Sequence, residues 1–129
     1  MNKIIIEVSI GELLDKISIL EIKKEKIKDS KKLEFIVKEY SILKEQLENN
    51  VKKNDELNRL YKSLKEINAK LWIIEDEKRL CEKEKKFDEK FIKLSRDVHF
   101  LNDDRAKIKL EINNITGSTI KEVKEYTKY

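Results

Sequence analysis

The chain has 129 residues, two glycines, no proline, 43% charged residues and a formal net charge of +4, which fits one domain built of solvated helices; its hydrophobic content of 39%, set out periodically, excludes a disordered chain. Its 30 basic and 26 acidic residues interleave, as in Lys23-Lys24-Glu25-Lys26 and Glu82-Lys83-Glu84-Lys85. That pattern argues against the one-sign field of a nucleic-acid binder and against the acid-free polar face of a membrane-surface helix. The lone Cys81 excludes an internal disulfide framework, and no signal peptide or membrane span is expected, so a reducing cytoplasm is the expected compartment.

Residues 1–8 contain the β-branched run Lys3-Ile4-Ile5-Ile6-Glu7-Val8, which predicts a short strand or an extended arm. A lone strand needs a partner, either the C-terminal tail or a second protomer. Ser9 and Glu12 form a capping box that opens a first helix over residues 9–28. Ile10, Leu13, Leu14, Ile17, Leu20 and Ile27 share one face of it; Ile19 and Ile22 add a second, which predicts a helix covered on two sides. Glu21 and Lys24 fall on the first, apolar face.

After the break at Asp29-Ser30, a second helix is predicted over 31–49, with a clean stripe of Leu33, Ile36, Val37, Tyr40, Leu43 and Leu47. Asn-rich segments at 49–50 and 54–55 bracket a short connection. The third helix, 55–85, starts with an ordinary stripe of Leu57, Tyr61, Leu64 and Leu71. At 100° per residue the same face also carries Asn68, Glu75, Arg79 and Glu82. Asp88 caps a fourth helix over 88–115, with Phe87 and Ile92 spaced as a hydrophobic staple and Gly117 placed for a left-handed C-cap. Its stripe of Phe91, Leu94, Val98, Leu101 and Ile112 carries Asn102, Arg105 and Lys109. Residues 118–129 form a polar tail, weakly helical or extended. Short connections between helices predict an all-α, antiparallel four-helix bundle.

The clean second helix acts as an internal control, because it shows that a lysine-rich composition does not by itself push charge into a stripe. Charges in a core must be paired or must meet a ligand. The acids available are Glu21 and Glu75; the bases are Arg79, Arg105 and Lys109; Asn68, Asn102 and Asn113 add amides. Against 26 lysines there are four arginines, Arg59, Arg79, Arg96 and Arg105, and two of them sit on the polar faces. The planar guanidinium makes bidentate contacts that Lys cannot. Three readings stand open: a salt-bridge network that fixes register, a ligand-binding or catalytic site, and a protein interface. Trp72 and Tyr61 flank the site and His99 lies off the stripe centre.

Several enzyme templates are excluded. The carboxylate pairs of helical nucleoside-triphosphate pyrophosphatases need a Glu-x-x-Glu followed by a Glu-x-x-Asp; Glu45 and Glu48 give the first half, but no Glu-x-x-Asp follows them, and the residue three before His99 is Arg96 where a di-iron bundle needs Glu. One Cys and one His make no zinc site, and there is no glycine-rich phosphate loop. No metal or cofactor is implied. A chorismate-mutase-like pocket is imitated only weakly, since the first helix lacks the arginine that pocket uses.

Taken together, Ser9-Ile10-Gly11-Glu12-Leu13-Leu14-Asp15-Lys16-Ile17, Leu71-Trp72-Ile73-Ile74-Glu75-Asp76 with Arg79, Asn102-Asp103 with Arg105-Ala106, and Gly117-Ser118 resemble an uncharacterised bacterial domain family of unknown function. The final Glu122, Lys124 and Tyr126 also fit, and only residues 29–65 are generic. The resemblance implies a setting beside glycosyltransferases and cell-surface polysaccharide genes. It also adds Glu12, Asp15 and Lys16 to the candidates, which helix geometry alone reads as capping or solvent-facing. The expectation is a charged pocket that binds an anionic small molecule, a phosphorylated sugar or sugar nucleotide. Arg79, Arg105 and Lys109 would hold the anion, with Glu12, Asp15, Lys16, Glu21, Asn68, Trp72, Glu75, Asp76 and Asn102 around it. Glu75 would be the acid or base of any reaction. The alternative is a non-enzymatic interaction or dimerisation module that acts beside a glycosyltransferase.

Overall fold

The computed structural model describes residues 2–129, which form four helices: α1 (Ile10–Lys26), α2 (Ser30–Asn50), α3 (Asp55–Glu84) and α4 (Glu89–Thr116). The all-α four-helix bundle read from the sequence is the fold. Each helix is started by a side chain that takes a free N–H of the first turn: Ser9 from Glu12, Asp29 from Lys32, Asn54 from Leu57 and Asp88 from Phe91. The Asp29-Ser30 break is thus a cap, and α2 begins at Ser30. α1 ends at Lys26, two residues short of the predicted 28. Gly117 closes α4 in the left-handed region at φ 67°, as the sequence predicts.

The α3–α4 connection turns through Lys85, a non-glycine residue at φ 57°. The N–H groups of Lys85 and Lys86 bond back to the Glu82 and Cys81 carbonyls and satisfy the end of α3. The predicted staple takes a different partner: Phe87 packs edge-on against Phe91, with ring centroids 5.3 Å apart, and Ile92 is exposed.

α1 touches every other helix, whereas α2 packs on α1 alone. The molecule is therefore two helical hairpins, α1–α2 and α3–α4, joined through α1. This explains why α1 carries two apolar faces and why the stripe of α2 is plain. Leu13, Leu14 and Ile17 of α1 meet Leu47 of α2, Leu57, Leu60 and Leu64 of α3 and Ile112 of α4 in the main core. Burying these side chains stabilises the fold by roughly 1.5–3 kcal/mol each.

α1 has 17 residues and α3 has 30, about 25 Å against about 45 Å of helix. The far half of the α3–α4 hairpin therefore extends beyond α1. There a smaller cluster, Ile74, Cys81 and Leu94, is the whole buried core. Cys81 is a buried free thiol within it.

Residues 2–8 form no strand; they are the extended arm, with Ile4, Ile5 and Ile6 largely in solvent. The tail beyond Ser118 is extended, not helical. It runs back along α4: Lys121 bonds Asn114, Glu122 meets Lys109, and the Tyr129 hydroxyl donates to Asp103. Among the described residues no helix is long and apolar enough to cross a membrane.

Candidate functional site

The polar stripe of α4 lies where α1, α3, α4 and the tail converge. Asn102, Arg105, Lys109 and Asn113 recur at three- and four-residue spacing and so share one face. At its centre is Asp15 of α1, 2% exposed. Arg105 donates to both oxygens of Asp15, Nε to Oδ1 at 3.0 Å and Nη2 to Oδ2 at 2.5 Å. This is the planar fork that a lysine cannot supply. Asn68 of α3 donates to Asp15 Oδ1 at 2.8 Å and to the Ser18 hydroxyl at 2.8 Å. Ser18 in turn donates to the Asp15 carbonyl. One buried carboxylate thus ties α1 to α3 and α4.

Lys109 extends the network outward. Its ammonium donates to Glu12 at 2.7 Å, lies 3.6 Å from Asp15 and reaches Glu122 of the tail at 3.3 Å. Arg105 Nη1 also donates to the side-chain oxygen Oδ1 of Asn102 at 3.3 Å. A guanidinium has five N–H donors; with three used here, one on each terminal nitrogen remains. No buried side-chain polar atom among the described residues lacks a partner.

Burial raises the Asp15 carboxyl, but the hydrogen bonds from Arg105 and Asn68 and the charges of Arg105 and Lys109 outweigh it and hold the group below its ordinary 3.8. Burial likewise lowers Lys109, yet the bond to Glu12 and the charges of Asp15, Glu12 and Glu122 keep it above its ordinary 10.5. The cluster is charged on both sides across the neutral range.

Above the network, α4 and the tail enclose a groove of about 690 Å³ lined by Asn102, Arg105, Lys109, Asn113, His99 and the tail residues Glu122, Lys124, Tyr126 and Tyr129. His99, Phe100 and Tyr129 pack ring against ring at its far end.

The helices meet closely here. A Cβ on Gly11 would lie 2.6 Å from the Lys109 carbonyl oxygen, and the Gly11 N–H donates to Asn113 Oδ1 at 2.7 Å. The close approach holds the first turn of α1 against the last turns of α4 and sets the position of Glu12 over Lys109.

The structure thus brings Glu12, Asp15, Asn68, Asn102, Arg105 and Lys109 into one constellation. Lys16 lies at its rim, 3.8 Å from Glu12. Glu21 belongs to a neighbouring surface cluster, where it accepts from the Tyr61 hydroxyl and pairs with Lys65. Trp72 is half-buried and does not line the groove. Glu75 and Arg79 form an exposed ion pair on α3, with side chains 57% and 77% in solvent, and Asp76 is exposed beside them. The inward placement expected for Glu75, Arg79 and Glu82 does not hold: the side-chain bonds from α1 reach along α3 no further than Asn68, and the face that is core at Leu64 is surface at Glu75.

Helix reasoning alone missed the burial of Asp15 and the close approach at Gly11. It also missed the groove-lining role of the tail, although Glu122, Lys124 and Tyr126 alternate at the two-residue period of one face of an extended segment.

No curated protein and no solved structure matches the chain. A family model described as a family of unknown function, DUF6165, matches residues 4–129. The match takes in the arm, all four helices and the tail that closes the groove, and the chain belongs to that family.

Proposed function

We propose that the groove between α4 and the tail binds a small anionic molecule, a phosphorylated sugar or a sugar nucleotide. The observation that carries this reading is the Asp15 anchor. It fixes Arg105 and Lys109 from beneath, so that two cations face the groove in a set geometry with two guanidinium N–H groups still free. Arg105 is held in place to receive a phosphate, Lys109 exchanges Glu122 for it, and charge-assisted bonds to a phosphate are worth about 1.5–3 kcal/mol each. The groove volume of about 690 Å³ falls within the usual range of roughly 300–1,000 Å³ for small-molecule sites. His99, Tyr126 and Tyr129 offer ring faces to a sugar or base, and Asn102 offers hydrogen bonds to hydroxyls. The polysaccharide setting that the sequence resemblance implies supports a sugar phosphate over other anions.

The reading is one of binding and not of catalysis, because Glu75 lies outside the groove. Glu122 is the tail's own anion on Lys109, and an incoming phosphate takes its place there.

Calorimetric titration with glucose 1-phosphate, uridine diphosphate glucose and inorganic phosphate tests the proposal. Saturable binding of at least one sugar phosphate is expected, weakened about tenfold or more in Lys109→Met and unchanged in Arg79→Met. Lys109→Met leaves Asp15 paired with Arg105 and frees only the partly hydrated Glu12 and Glu122, so the fold is retained. Absence of binding to all three probes at millimolar concentration, or equal binding by the Lys109 variant, would contradict the reading.

A further inference from the structure

The N-terminal arm is the largest run of exposed apolar side chains: Ile4, Ile5 and Ile6 are 89%, 81% and 72% in solvent. No backbone–backbone hydrogen bond reaches residues 2–8 among the described residues. The segment is β-branched, extended and without a ladder, which makes it a free strand. The groove, the tail and the polar network do not use it.

We propose that two copies of the chain pair through this arm as an antiparallel β-ribbon centred on Ile5. The charge pattern selects both the occupant and the register. With Ile5 on the two-fold axis, Lys3 of one copy lies opposite Glu7 of the other, and the symmetry repeats the pair. Ile4 lies opposite Ile6 of the second copy. A slip of one residue puts Lys3 against Ile6 or Val8, and both ion pairs are lost. The side-chain period of two sends Lys3, Ile5 and Glu7 to one face and Ile4, Ile6 and Val8 to the other. From Ile4 to Val8 the second face is apolar and adds a hydrophobic strip across the ribbon, with Asn2 at its edge. An arm that complements its own sequence in this way fits a second copy better than an unrelated partner. A two-stranded ribbon is marginal alone, so the dimer forms and dissociates with concentration.

The test is sedimentation velocity on the full chain, from about 10 µM to 1 mM. Wild type is expected to pass from monomer to dimer across that range. Lys3→Glu sets four carboxylates around the ribbon and Glu7→Lys sets four ammonium groups. Each variant alone should weaken association by roughly tenfold, because like charges directly opposite destabilise a strand pair. Mixing the two variants restores both ion pairs in the heterodimer, and association should return to the wild-type level, as it should in the double variant. The arm is exposed and outside every helix, so helicity by circular dichroism should be identical throughout. A monomer at every concentration would overturn the proposal. So would a dimer indifferent to the single reversals, or one that mixing fails to restore.

Discussion

Asp15→Ala is expected to lower the melting temperature by roughly 10 °C at neutral pH, the largest loss of any single polar substitution in the chain. Removing the carboxylate leaves Arg105 without its bidentate partner, Lys109 without one of three anions, and Asn68 without one of its two acceptors. Breaking a fully buried pair costs about 3–5 kcal/mol. The Arg105 side chain is 28% exposed and recovers some hydration, which places the loss near the lower end, about 2–3 kcal/mol. Arg105→Met should also destabilise, because it leaves the 2%-exposed carboxylate with only Asn68 and the more distant Lys109.

The pH dependence carries a sign. The Asp15 carboxyl is held below 3.8 in the folded chain, so the unfolded state takes up its proton first. The stability it contributes is fully present above 3.8 and is lost as pH falls through the folded value. Asp15→Asn keeps the shape and lacks the charge. Its melting temperature should lie below wild type at pH 7, and the two curves should converge as pH drops below 3.8. A constant gap down to pH 2.5 would show that the carboxylate is not the source of the difference.

Gly11→Ala should also destabilise, by about 1–3 kcal/mol, although alanine favours a helix over glycine by about 1 kcal/mol. The added Cβ would stand 2.6 Å from the Lys109 carbonyl oxygen and 2.9 Å from Asn113 Oδ1. The first is backbone and cannot swing aside, so α1 and α4 must separate. Separation lengthens the Gly11–Asn113 hydrogen bond and draws Glu12 off Lys109. Thermal unfolding followed by circular dichroism measures the effect; an unchanged or higher melting temperature would show that the close approach is not needed.

The polar stripe on α4 was legible because 102, 105 and 109 recur at helical spacing inside an otherwise apolar face. The caps at Ser9 and Asp88 and the glycine at 117 were legible because each answers a local need of the backbone. Asp15 was not. Whether a polar residue at that angle is buried depends on what packs there, and periodicity does not report that α4 lies against the second face of α1. The same limit misplaced Glu75 and Arg79. A helical wheel extends a face along the whole of α3, whereas the side-chain bonds from α1 reach no further than Asn68. The groove was hidden for a different reason, since one of its walls is a tail without helical periodicity.

Two roles meet in the network. Its inner part, Asp15 with Arg105 and Asn68, neutralises itself and fixes how α1 seats on the α3–α4 hairpin. Its outer part, Lys109 with Glu12 and Glu122, opens into the groove. In the proposed function the first prepares the second. The most direct measurement is amide chemical-shift mapping during titration with glucose 1-phosphate. Saturable shifts concentrated on residues 102–113 of α4 and 118–129 of the tail are expected, absent in Lys109→Met. Shifts centred on Glu75 and Arg79, or no shifts at millimolar ligand, would contradict the proposed function.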